Sequence, residues 1–98
     1  MRIVWLRSAL HDLNAIEQFI ELDNPAAARA MEKRIVTAVG RLATYPQLGR
    51  AGRIDGTREL VVAGTPYLVP YTVADETIVV LAVLHGARAW PEQLQRDS

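Results

Sequence analysis

Apolar positions change period along this chain, and those changes mark out the elements. Ile3 and Trp5 alternate with Val4 and Leu6, so Arg2 to Arg7 is expected to form a first strand. From Ser8 the spacing becomes three and four. Leu10, Leu13, Ile16, Phe19 and Ile20 form one stripe on a helix ending near Leu22, with Ser8 a suitable N-cap. Asp23-Asn24-Pro25 marks a boundary, since Asn24 can cap a second helix and Pro25 suits its first turn. Ala28, Met31, Ile35, Val39 and Leu42 give the second stripe, continuing to about Thr44, where Tyr45-Pro46 stops it. Gly40 inside this helix reads as tolerated rather than as a point of close backbone approach. The break between the helices is so short that they should form an antiparallel hairpin.

Gln47 to Gly56, with three glycines and two arginines, reads as a loop. Strands are expected at about Arg58–Ala63, Tyr67–Val73 and Thr77–Leu84. The order β-α-α-β-β-β predicts an α+β domain with the N-terminal strand and the helical hairpin packed on one face of a small, mainly antiparallel sheet. Pro70 removes a ladder donor from the middle run and suggests a bulge. Ile78 to Leu84 is apolar on both faces, as expected for a strand inside a sheet covered on both sides. Two helices cover one face only. The segment Trp90 to Leu94, or a partner chain, is available for the other.

With 98 residues the chain can bury roughly 60–70% of its unfolded surface, enough for a single domain over 1–98 without staples. It contains no cysteine, which removes disulfides, thiol nucleophiles and zinc–thiolate sites. No apolar run approaches membrane-spanning length, and the opening segment has a charge in its middle and no small-residue cleavage site. A cytoplasmic, cofactor-free protein is expected. Formal net charge is zero, which argues against tight binding to nucleic acid through phosphates. The distribution is uneven. Asp12, Glu17, Glu21 and Asp23 make the first helix acidic, while Lys33 to Arg58 holds six cations against Asp55.

Cleavage of a phosphodiester needs a base, an acid and a cation for the developing charge. Arg58 and Arg88 could supply the cation, and would meet if the chain turned back after Leu84 at Gly86. A base is harder to find. His85 follows a buried strand, His11 sits beside acidic neighbours, and Glu59 is held in strand pairing. No histidine or carboxylate spacing suggests a metal. Trp90, before a proline, reads as a core lid or a contact residue.

The sequence resembles the RelE/ParE family of bacterial toxins across nearly its whole length. The resemblance rests on V-W-x-x-x-A-x-x-D-L-x-x-I (Val4 to Ile16), N-P-A-A-A after Asp23, and L-x-x-Y-P-x-L-G-R (Leu42 to Arg50). It continues through G-T-R-E-L (Gly56 to Leu60), the pair Tyr67 and Tyr71, and H-G-A-R (His85 to Arg88). It implies the toxin of a type II toxin–antitoxin module, neutralised by a ParD-like antitoxin within a hetero-oligomer. Part of that interface is expected along the helical hairpin, at Leu13, Ile16, Ile20, Met31, Ile35 and Val39. RelE-like members cleave messenger RNA on the ribosome with a basic surface and a tyrosine or histidine beyond the last arginine. This chain is neutral and has neither after Arg88. Similarity is therefore greater to the ParE branch, which implies poisoning of DNA gyrase without a catalytic site. The expected target contacts are Arg50, Arg53, Arg58, Arg88 and Trp90. The alternatives are a RelE-like ribosome-dependent endoribonuclease and an inactive relic kept as a binding partner.

Overall fold

In the computed structural model residues 1–86 are described. Chain order is β1 (Arg2–Trp5), α1 (Arg7–Glu21), α2 (Pro25–Gly40), a 3-10 turn (Arg41–Ala43), β2 (Arg50–Ala51), β3 (Arg58–Val61), β4 (Tyr67–Ala74), β5 (Thr77–Val80) and β6 (Leu84–His85). The sheet order is β1-β5-β4-β3-β2, with β6 also on β4. β1 and β5 pair in parallel; β2–β3, β3–β4, β4–β5 and β4–β6 are antiparallel. The β3–β4–β5 meander is as expected, but the strand expected over Thr77–Leu84 is broken, β5 ending at Val80 and β6 resuming at Leu84.

Both helices lie on one face. Ala9 and Leu13 of α1, Ile35 and Val39 of α2, and Leu42 share a core with Leu60, Val62, Val69, Tyr71, Ile78 and Val80. The second stripe is as expected. The first is shifted: Ala9, Leu13 and Ile16 face inward, while Leu10 is 51% and Phe19 75% exposed. Large side chains at Leu10 and Phe19 suggested burial, but the spacing 9, 13, 16, 20 centres the stripe on a small residue that lets helix and sheet approach. β5 is an interior strand. Ile78 and Val80 are fully buried against the helices, and Thr77 and Val79 on the opposite face are half-buried.

Several boundaries differ from expectation. The first helix begins at Arg7 with Leu6 at its N-cap and no side-chain cap. Ser8 is engaged elsewhere, as described below. Asn24 does cap α2, its Oδ1 accepting from Ala27 N–H at 3.1 Å, with Pro25 in the first turn. Gly40 closes α2 rather than lying inside it, and nothing lies within 4 Å of where its Cβ would be. The β4–β5 connection is two residues, Asp75 and Glu76, both at positive φ (52° and 57°). That conformation suits the right-handed twist of a hairpin.

Pro70 does sit at a bulge. Tyr71 pairs with Val80 and Leu68 with Leu84, so residues 81–83 face only residues 69 and 70. Leu81 N–H donates to Pro70 C=O at 2.9 Å. The N–H and C=O of one strand residue point the same way, so the donor that proline lacks is missing on the bulged side. Helix α1 completes the bulge from below. Ser8 Oγ–H donates to Leu81 C=O at 2.9 Å, and Asp12 Oδ2 accepts from Val83 N–H at 3.0 Å. These two side chains, one helical turn apart, take up backbone groups that the irregular strand leaves without a ladder partner.

Candidate target-contact surface

The segment expected to be a plain loop is anchored from within the sheet. Tyr71 is fully buried, and its hydroxyl donates to Pro46 C=O and accepts from Gly49 N–H, both at 2.8 Å. Gly49 has to be glycine. An added Cβ would lie 2.7 Å from the Tyr71 ring and hydroxyl and 2.9 Å from Glu59 C=O. Arg58 lies on the same face as Tyr71, its register partner, and reaches the loop, donating from Nη1 to Gly49 C=O at 2.8 Å.

Glu59 points to the opposite face, where it is 3% exposed. Its carboxylate accepts from Arg53 N–H at 3.1 Å and pairs with the Arg50 and Arg53 guanidinium groups, each at 3.4 Å. Arg50 stands opposite Glu59 in the β2–β3 ladder, so its ion pair is a direct cross-strand contact. A buried carboxylate requires such partners, because burying an ion alone is costly. Arg50 and Arg53 still leave 62% and 45% of their side chains exposed. Both are oriented by Glu59. Arg58, by contrast, spends part of its hydrogen-bonding capacity on the protein's own backbone.

The expected target contacts thus separate. Arg50 and Arg53 sit together on one face and Arg58 lies on the other, while Arg88 and Trp90 fall outside the described residues. β6 carries the chain away from Arg58. His85 pairs with Tyr67, four residues along β4 from the Tyr71 that faces Arg58, roughly 13 Å at strand rise. His85 packs edge-on against the Tyr67 ring at 5.8 Å. His11 is exposed on α1. Of the candidate bases, only Glu59 lies at the arginines among the described residues, paired with Arg50 and Arg53.

The expected helical-hairpin contacts divide by burial. Leu13, Ile35 and Val39 are buried in the chain's own core. Ile16, Ile20 and Met31 are half-buried. Leu10, Phe19 and Leu22, at 51%, 75% and 84% exposure, are large apolar side chains that α1 and its C-cap offer outward. The anchoring roles of Ser8, Asp12, Gly49, Glu59 and Tyr71 were not foreseen. A glutamate in the strand Arg58–Val61, downstream of Arg50 and Arg53, was the available signal.

A family model described as "ParE toxin of type II toxin-antitoxin system, parDE" matches residues 3–90. The chain belongs to the ParE toxin family. It is 46% identical over 93 residues to "Putative toxin Y4kP" of Sinorhizobium fredii, covering 95% of this chain and 96% of that one. To "Toxin RelE2" of Caulobacter vibrioides it is 41% identical over 87 residues, covering 89% and 97% respectively. A solved structure, "Chromosomal ParDE TA system from P. aeruginosa", superposes with a TM-score of 0.78 at 28% identity, covering 87% of this chain and 95% of that one. The chain is therefore a toxin-type component of a type II toxin–antitoxin system. Among the described residues no helix is long and apolar enough to cross a membrane.

Proposed function

We propose that this toxin arrests growth by poisoning DNA gyrase and is held inactive by a cognate antitoxin. The observation that carries the reading is the 50–58 segment, where two partly exposed arginines are fixed by one buried carboxylate on a loop pinned to the core. Preorganised cations on an anchored loop suit recognition of an acidic protein surface, since ordering costs are largely met before binding. Glu59, the carboxylate nearest these arginines, is engaged by both of them and by a backbone N–H. It is poorly placed to accept a proton from a substrate hydroxyl. Neutral net charge adds support. The antitoxin follows from family membership and from the likeness to a solved chain of a ParDE toxin–antitoxin system.

Messenger RNA cleavage on the ribosome is the second reading, favoured by the 41% identity to the relative named "Toxin RelE2". One pair of assays separates the two. Purified toxin should inhibit gyrase supercoiling and leave ribosome-bound message intact. Cleavage of that message with supercoiling unaffected would establish the nuclease.

A further inference from the structure

Away from the arginine-bearing loop, α1 and the strands beside it enclose a recess of about 500 Å³. That volume falls in the range of small-molecule sites. α1 contributes Asp12, Ile16 and Phe19, whose spacing of four and three puts them on one helix face. β4 and β6 contribute Tyr67 and His85, which are register partners and so lie on the same face of the sheet. Their rings meet edge-on, with centroids 5.8 Å apart and planes at 85°, and form a corner. Phe19 adds a third ring to the wall. The carboxylate in the recess is that of Asp12, which is half-buried. Its Oδ2 accepts from Val83 N–H, and its Oδ1 has no hydrogen-bond partner among the described residues. Among those residues no lysine or arginine lines the recess.

We infer that this recess binds the ammonium group of an aliphatic amine, with the charge at Asp12 Oδ1 beside the rings and the alkyl chain along Ile16 and Val83. The site is independent of which target the toxin acts on. A carboxylate and the faces of aromatic rings both attract a cation, and together they are the elements of an ammonium cage. A guanidinium pairs best with both oxygens of a carboxylate, and here Oδ2 already serves Val83. A compact ammonium needs one oxygen only, so it fits better. An anion would meet the Asp12 charge. A neutral apolar ligand would cover Oδ1 and leave it without a partner, which is costly. A metal ion wants several carboxylates or imidazoles. Asp12 and His85 are two such groups, and no cluster of three occurs among the described residues.

The test titrates the isotope-labelled full-length toxin with butylamine, butanol and butyrate and follows amide shifts by NMR. Butylamine should bind in the millimolar range, as suits so small a ligand, moving the Val83 and Tyr67 amides and leaving those of Arg50 and Arg53 in place. Butanol and butyrate should bind at least about fivefold more weakly. Asp12→Asn keeps an acceptor for Val83 N–H but removes the charge, and should weaken butylamine by about fivefold. Phe19→Leu keeps apolar bulk but removes a ring, and should weaken it about two- to fivefold. Glu21→Gln, on the same helix but outside the recess, should leave binding unchanged. Melting curves show that each variant keeps its fold. Two sources carry an alkylammonium group, a free amine and a protein lysine. Tighter binding of Nα-acetyl-lysinamide than of butylamine assigns the recess to a lysine side chain, and weaker binding assigns it to a free amine. Absence of shifts, equal binding of butylamine and butanol, or unchanged affinity in folded Asp12→Asn would overturn the inference. So would shifts spread along α1 and abolished by Glu21→Gln, which mark a diffuse acidic surface instead.

Discussion

Two irregular stretches of backbone in this toxin are held by side chains, and they are held in opposite senses. At residues 81–83 the sheet is the irregular partner. A helix reaches up to it, with Ser8 and Asp12 bonding the groups that the Pro70 bulge releases. At residues 46–53 the loop is the irregular partner and the sheet reaches out to it, through Tyr71, Arg58 and Glu59. The first arrangement holds largely buried backbone, Ala82 and Val83 being 2% and 4% exposed. The second leaves two guanidinium groups substantially exposed. Similar hydrogen bonds thus keep the fold closed in one place and hold an exposed, arginine-bearing loop in shape in the other.

Substitutions should separate the two. The largest effect is expected at Gly49→Ala, where the new methyl meets a buried ring and a backbone carbonyl. A loss of about 2–3 kcal/mol is expected, seen as a melting temperature lowered by roughly 8–20 °C for a domain of this size. Asp12→Ala should follow, at about 1–3 kcal/mol, because Val83 N–H is left without an acceptor; Asp12→Asn keeps an acceptor and should recover most of the loss. Equal melting temperatures for the two Asp12 variants would show that the carboxamide oxygen does not replace the carboxylate. Tyr71→Phe removes one hydroxyl that serves two loop groups. About 1–2 kcal/mol is expected, together with faster amide exchange at Gly49 than at Val83. Loss of protection at both sites alike would mean that the two regions open as one unit. The smallest stability effect belongs to Arg53→Ala and Arg50→Ala, at about 0–1 kcal/mol for largely exposed ion pairs. These two should nonetheless relieve toxicity, as scored by growth on induction, while Asp12→Asn should not. Full toxicity in both arginine variants would move target contact away from this loop.

Some of this was legible in the residues themselves. Asn24-Pro25 marks the start of α2 because an N-cap acceptor and a fixed φ act locally, and the structure places both as the sequence suggests. The stripe from Ala28 to Leu42 and the meander follow from periodicity, which depends on chain geometry alone. The Pro70 bulge follows from a missing donor. Family membership was readable for a different reason, the order and spacing of short motifs along nearly the whole chain. Ser8 shows the limit of local reasoning. As a residue type it suits an N-cap, yet the carbonyl of Leu81 lies within reach only because β5 is placed beside β1, seventy-three positions away along the chain. The roles of Gly49, Glu59 and Tyr71 have the same origin. The sequence alone determined both helices, the main strands, their order and the family, since those depend on neighbouring residues and on matched motifs. Which polar side chain serves which backbone group, which of Leu10, Leu13 and Phe19 is buried, and where β2 pairs and the last strand breaks depended on long-range contacts that only the assembled sheet and helices supply.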